Sequence, residues 1–159
     1  DLVVTDSQYF AQVAAIVPKE VPLTSFSVLL SRSKGPFQVL LDGVQVLGAL
    51  EDGDRILMLE SCTHHASCDD IGRVKIPALI RKVSGKKIDF DFISGLDPIV
   101  TGEGRNYRLA IQCGGCMVTT TQLRRRLARV MRDGIPVTNY GMAIAYLSGI
   151  LDRAVAPLV

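Results

Sequence analysis

Four cysteines, Cys62, Cys68, Cys113 and Cys116, carry most of the chemical potential of this 159-residue chain. Cys113 and Cys116 frame a Cys-Gly-Gly-Cys turn. That spacing lets two thiolates reach one metal centre, and Gly114 and Gly115 allow backbone close to sulfur. The same turn also fits a dithiol redox pair or a purely structural pair. A second cluster reads Cys62-Thr-His64-His65, with Asp69 following. A Cys-x-His pair facing a Cys-x-x-Cys pair completes a Cys3His set for a closed structural zinc. It equally offers three thiolates to an iron–sulfur cluster, leaving one iron for an exchangeable ligand. His64, His65 and Asp69 are the local candidates for that position. Cys68 has no matching partner and reads as a small apolar filler.

The elements around these residues follow from hydrophobic patterning. Leu2–Val4 reads as a strand, Asp6-Ser7 as a helix cap, and Phe10, Val13, Ala14 and Val17 as one helix face. Leu23–Phe26 is a second short strand, and the Ser31–Pro36 stretch is the best boundary. Phe37, Leu40, Leu41, Val44 and Leu47 mark a helix that stops near Asp52-Gly53. Ile56–Leu59 is a continuous apolar run, as expected of a strand buried on both faces. Ile76–Val83 reads as a helix, Ile88–Ile93 as a strand nearer an edge, and 95–105 as a Gly-rich loop. Tyr107–Gln112 and Pro136–Thr138 are strands. Between them Thr119 and Gln122 form a capping box for a helix carrying Leu123, Leu127, Val130 and Met131. Gly141–Val155 reads as one helix, apolar almost all round and therefore buried. No internal repeat stands out.

Strand-helix alternation predicts an α/β fold of parallel βαβ units with helices on both faces. In such sheets ligands gather at the carboxyl ends of the strands. Cys62 follows the Ile56–Leu59 strand and Cys113 follows Tyr107–Gln112. If these strands are parallel neighbours, Cys62, Cys113 and Cys116 converge. Asn139 and Tyr140, after the last strand, end at the same edge. The helix after the Cys113–Cys116 turn points its N-terminus that way, which favours anionic sulfur.

Composition narrows the classes. With 48% apolar residues the chain can bury roughly 70% of its unfolded surface, which excludes disorder. A net charge of +2 gives no reason to expect nucleic acid. No apolar run reaches the length of about 18 residues that a membrane span needs. Cysteine usage points to a reducing, cytoplasmic compartment. Arg124-Arg125-Arg126, with Arg129 and Arg132, reads as a solvated helix face. Ser84-Gly-Lys-Lys87 lacks the glycine spacing and the hydroxyl residue of a phosphate loop, so the chain carries no GTP site. The chain opens on Asp1 and enters a strand almost at once, which reads as a fragment or processed chain.

Three segments, Asp69-Asp-Ile-Gly-Arg-Val-Lys-Ile-Pro77, Cys113-Gly-Gly-Cys-Met117 and Val137-Thr-Asn-Tyr-Gly-Met-Ala-Ile-Ala-Tyr146, resemble HydF. HydF is the family of GTPase scaffolds that mature [FeFe]-hydrogenase. Leu2-Val-Val-Thr-Asp-Ser-Gln8 and Leu23-Thr-Ser-Phe-Ser27 extend the resemblance over nearly the whole chain. It implies that 1–30 is the C-terminal part of a dimerisation domain and 31–159 an iron–sulfur cluster-binding domain. The family's GTPase domain is absent from this sequence, so the chain is expected to be a scaffold rather than an enzyme.

The resemblance further implies a [4Fe-4S] cluster on Cys62, Cys113 and Cys116, surrounded by Gly114, Gly115, Asn139 and Tyr140. It implies a di-iron precursor as cargo, received from the radical-SAM maturases HydE and HydG and delivered to the hydrogenase HydA. A homodimer is expected as well. Members commonly carry His immediately before the Cys-Gly-Gly-Cys turn, where this chain has Gln112. The fourth ligand therefore falls to Asp69 first, then His64, then His65, or to solvent. The rival readings remain a Cys3His zinc interaction module and a dithiol oxidoreductase using Cys113 and Cys116.

Overall fold

A computed structural model describes residues 1–61, 70–95, 97–99 and 106–159 as an α/β fold. Strand β1 (Val3–Thr5) leads through a 3-10 turn (Ser7–Tyr9) and helix α1 (Phe10–Ile16) to strand β2 (Leu23–Ser25), parallel to β1. Asp6 makes the expected cap, its carboxylate accepting the Gln8 amide at 2.9 Å. Residues 26–34 form helix α2 (Phe26–Lys34). The boundary expected at Ser31–Pro36 is thus helical through Lys34. Only Gly35 and Pro36 separate it from helix α3 (Phe37–Val44), because proline disfavours helix at the residue before it.

After a 3-10 turn (Gln45–Ala49) come strand β3 (Arg55–Leu59), a π turn (Ile71–Lys75), helix α4 (Ile76–Ser84) and strand β4 (Asp89–Ile93). Strand β5 (Leu109–Gln112), helix α5 (Thr120–Arg132) and strand β6 (Val137–Asn139) follow. Helices α6 (Tyr140–Leu147) and α7 (Leu151–Val155) close the chain with a final 3-10 turn (Ala156–Leu158). Strands β3 to β6 make one parallel sheet in the order β4-β3-β5-β6. Ile56–Leu59 of β3 are fully buried, which is why a strand without alternation takes the interior of the sheet. β4 alternates aspartate with phenylalanine and forms an edge, with Arg81 and Arg73 lying 4.8 and 5.4 Å over the rings of Phe90 and Phe92. Among the described residues no helix is long and apolar enough to cross a membrane.

The strand order places a topological switch point. From β3 the chain crosses outward through α4 to β4; from β5 it crosses the opposite way through α5 to β6. Right-handed crossovers in opposite directions put α4 and α5 on opposite faces, the arrangement in which ligands gather outside the carboxyl ends of the two central strands. Register aligns Leu59 with Gln112 and Gln112 with Asn139, so the chain leaves all three strands at one level.

The single helix expected over Gly141–Val155 is instead two. Gly149 adopts φ +72°, a left-handed conformation that ends α6. The Ile150 amide then reaches back to the Ala145 carbonyl at 2.9 Å, and the chain restarts as α7. This bend lets α7 cover the opening unit. Thr24 Oγ1 donates to Ala154 O at 2.7 Å, and the Arg153 guanidinium donates to the carbonyls of Ala14, Val17, Pro18 and Val21. The opening βαβ unit, too small to bury itself, is thereby covered in part by its own chain.

Pro22-Leu-Thr-Ser-Phe26 and Pro136-Val-Thr-Asn-Tyr140 serve as equivalent parts, a recurrence too short to register as a repeat. In each, a buried threonine hydroxyl donates to a helix carbonyl, Thr24 to Ala154 O and Thr138 to Leu40 O. The next residue, Ser25 or Asn139, caps the following helix by accepting the amide of Val28 or Met142. The two helix starts abut: Gly141 N donates to Ser27 Oγ at 3.0 Å and Asn139 Nδ2 to Ser27 O at 2.8 Å.

Candidate metal centre

Cys113 continues the β5 ladder, its amide donating to the Leu59 carbonyl at 2.8 Å. Its sulfur therefore sits at the switch point between β3 and β5. Two N–H groups donate to that sulfur, the Ser61 amide at 3.0 Å and Gln112 Nε2 at 3.2 Å. Such N–H donors hold the sulfur in a fixed place at the strand end. Gln112 is fully buried and also donates to Ser61 Oγ at 2.7 Å, tying the last residue of β5 to the exit of β3. Its Oε1 has no hydrogen-bond partner among the described residues. Gln112 is therefore a hydrogen-bond donor to the Cys113 sulfur.

In the Cys113–Cys116 turn the need for glycine lies at Gly115. Its φ is +68°, and an added Cβ would crowd Leu123 and Val118 at 3.3–3.4 Å. A Cβ added at Gly114 would meet Ser27 and Leu30 of α2 only at ordinary contact distance. Cys116 is exposed. The capping box forms as expected, with Gln122 N donating to Thr119 Oγ1 at 3.2 Å and Thr119 N donating to Gln122 Oε1 at 2.9 Å.

Sequence reasoning missed Arg126. It is not part of a solvated face: it is buried, and its guanidinium donates to the carbonyls of Gly95, Ile93 and Glu60 at 2.5, 3.3 and 3.4 Å. Burial lowers its pKa, opposed by the negative charge of Cys113 and Asp97. The signal was present, because Arg126 shares helical spacing with Leu123, Leu127 and Val130 on the inward face of α5. Arg126 thus joins the carboxyl ends of β3 and β4 and sets a positive charge near Cys113.

On the other side, Glu60 follows β3 and pairs with Arg73 at 2.9 Å. Ser94 Oγ also donates to this carboxylate at 2.8 Å. The Glu60 hydrogen bond is the main influence raising the Arg73 pKa, against the penalty of burial. Asp70 accepts the Arg73 amide at 2.7 Å. Ser61 and Asp70, the described residues flanking 62–69, are thereby tied to the same edge of the sheet.

Tyr140 lies between these groups. It is buried, and its hydroxyl has no hydrogen-bond partner among the described residues. Burial pushes its pKa far above the ordinary phenol value, and the charges of Cys113, Glu60 and Asp70 push the same way while Arg73 opposes. Gly72 makes room for it, since a Cβ there would fall 2.1 Å from the Tyr140 hydroxyl. Asn139 is a structural part, its side chain engaged with Met142 N and Ser27 O.

The ligand candidates Cys62, His64, His65 and Asp69 lie outside the described residues, as do Cys68, Leu96 and 100–105 of the expected Gly-rich loop. Among the described residues no group of three His, Cys, Asp or Glu is placed to hold a metal ion. The described part of the site still fits one: a hydrogen-bonded thiol, a positive charge and two orphaned buried polar atoms meet at a switch point. Residues 38–157 match the family model of the Hydrogen maturase F tetramerization domain, and residues 1–35 that of the Hydrogen maturase F dimerization domain. No curated protein matches the chain.

Proposed function

The chain belongs to the hydrogen maturase F family, and we propose that it serves hydrogenase maturation as a scaffold holding a [4Fe-4S] cluster on Cys62, Cys113 and Cys116. Its two matched domains are oligomerisation modules, in keeping with a protein that works as an assembly of copies. In this reading the cluster-bearing chain takes a di-iron precursor from HydE and HydG in the cytoplasm and passes it to HydA.

The observation that carries the reading is the Cys113 sulfur at the switch point, holding N–H bonds from Ser61 and Gln112. Ser61 precedes Cys62, so the chain that bears the second cysteine is tied to the first. Each residue then has its task. Cys113 supplies a thiolate whose charge is shared with two donors. Arg126 offsets the negative charge of a thiolate-ligated site and holds the strand ends that frame it. Gly115 lets the turn bring Cys116 round without strain. A bound cluster with three thiolates supplies one iron open to an exchangeable ligand. Gln112 is not a histidine, so that ligand is proposed to be Asp69, ahead of His64 and His65. The Tyr140 hydroxyl, buried and protonated, is available to donate toward whatever occupies the site.

Anaerobic reconstitution with iron and sulfide tests this, read by metal analysis and by EPR of the reduced protein. Single changes Cys62→Ala, Cys113→Ala or Cys116→Ala are expected to abolish or severely impair cluster assembly, and Cys68→Ala to leave it intact. Full iron and sulfide loading of Cys113→Ala overturns the assignment. Stoichiometric zinc in place of iron and sulfide gives the site to a structural zinc instead.

A further inference from the structure

Helix α2 lies in the stretch that matches the dimerization domain, whereas the Cys113–Cys116 turn lies in the tetramerization match. One side chain joins them. Lys34, the last residue of α2, donates through Nζ to the carbonyls of Gly115 at 3.1 Å, Cys116 at 3.4 Å and Val118 at 3.1 Å. An ammonium has three N–H groups, and here each has a carbonyl of the same turn. Basic residues at helix C-termini ordinarily serve their own last carbonyls, but this one reaches more than eighty residues along the chain. The Lys34 carbonyl in turn accepts from Arg124 Nε at 3.1 Å, so the end of α2 is fastened to α5 as well as to the turn before it.

The carbonyls need such a partner. Gly115 takes a left-handed conformation, and within the turn Val118 N reaches Gly115 O only at 3.4 Å. That internal bond is long and weak, and Cys116 beside it is exposed. Lys34 gathers three carbonyls onto one point, and Ser27 and Leu30 of the same helix lie where a Cβ on Gly114 would meet them.

We infer that Lys34 is a positioning residue for the metal centre: through it, α2 of the dimerization unit sets the geometry of the Cys113–Cys116 turn. This rests on the scaffold reading above. A change in how the dimerization unit is held, by a second copy or another domain, is transmitted through α2 to the cysteines.

The test compares wild type with Lys34→Met, Lys34→Gln and Lys34→Arg. In the metal-free protein, amide hydrogen exchange over 113–118 is expected to rise about tenfold in Lys34→Met, the loss of one charge-assisted hydrogen bond. After reconstitution with iron and sulfide, cluster loss to EDTA is expected to quicken by about the same factor, with a changed EPR signal of the reduced cluster. Lys34→Gln, shorter and neutral, should follow Lys34→Met, and Lys34→Arg should restore both readouts because it keeps the donors. Wild-type exchange over 113–118 in both neutral variants overturns the inference whether or not a cluster forms. A wild-type protein that takes up no iron and sulfide defeats the scaffold reading, and the exchange result then decides Lys34 alone. A cluster with wild-type EPR and release rate in Lys34→Met also overturns the inference.

Discussion

Replacing Tyr140 by phenylalanine removes one oxygen from the centre of the candidate site. That oxygen is buried and without a hydrogen-bond partner among the described residues, while in the unfolded chain water satisfies it. A buried polar group left in this state costs about 1–3 kcal/mol. The packing lost with the oxygen takes back a few tenths, so the metal-free variant is expected to be more stable by roughly 1 kcal/mol. For a chain of this length that corresponds to a rise in Tm of about 2–4 °C, measured by circular dichroism.

The pH dependence carries the same sign. The folded pKa of Tyr140 is raised, so the folded state keeps its proton when the unfolded phenol begins to ionise near pH 10. The contribution of this group is fully present below about pH 10 and is lost as pH rises beyond it. Wild type should therefore lose stability above pH 10 more steeply than Tyr140→Phe. With a cluster bound, a hydroxyl that donates to the occupant reverses the balance, and the gain from Tyr140→Phe shrinks or disappears. A Tyr140→Phe protein less stable than wild type by 1 kcal/mol or more in the metal-free state, with an unchanged alkaline slope, refutes the reasoning.

Gly72→Ala is expected to cost roughly 2 kcal/mol by urea unfolding, because its Cβ would meet the Tyr140 hydroxyl at 2.1 Å. In the Tyr140→Phe background part of that cost should vanish, though not all, since ring carbons remain within 2.9 Å of the added atom. Arg126→Met should lower the urea midpoint by an amount equal to roughly 2 kcal/mol, whereas exposed Arg125→Met should stay within about 0.5 kcal/mol. Gly43→Ala places a Cβ 2.0 Å from the Val137 carbonyl oxygen, where backbone has to move, and a loss of about 3 kcal/mol or of soluble expression is expected.

Much of the architecture is legible in local patterning. The unbroken Ile56–Leu59 run reads as a strand buried on both faces and is one. Ile88–Ile93 reads as a strand nearer an edge, and β4 (Asp89–Ile93) lies at the edge. Thr119 and Gln122 announce the start of α5 because a capping box is a local device whose partners stand three residues apart. The Cys113–Cys116 turn is visible for the same reason. Where local signals compete, the sequence reading falls short. The Ser31–Pro36 stretch reads as a boundary, yet its first four residues are the end of α2, because their polar side chains mask a helix stabilised by contacts with α6 and with the cysteine turn. The break at Gly149 is hidden in an apolar run that continues on both sides.

The α/β class and the spacing of the chemically capable residues are legible in the chain because they rest on periodicity and short motifs, and the family is legible as a resemblance carried by a few longer segments. Only the tertiary structure decided which partners those residues meet. Strand order puts Cys113 at a switch point beside Ser61, burial turns Arg126 inward to the strand ends, and Lys34 meets carbonyls more than eighty residues away. These are long-range pairings, fixed by how sheet and helices pack, and no periodicity along the chain encodes them.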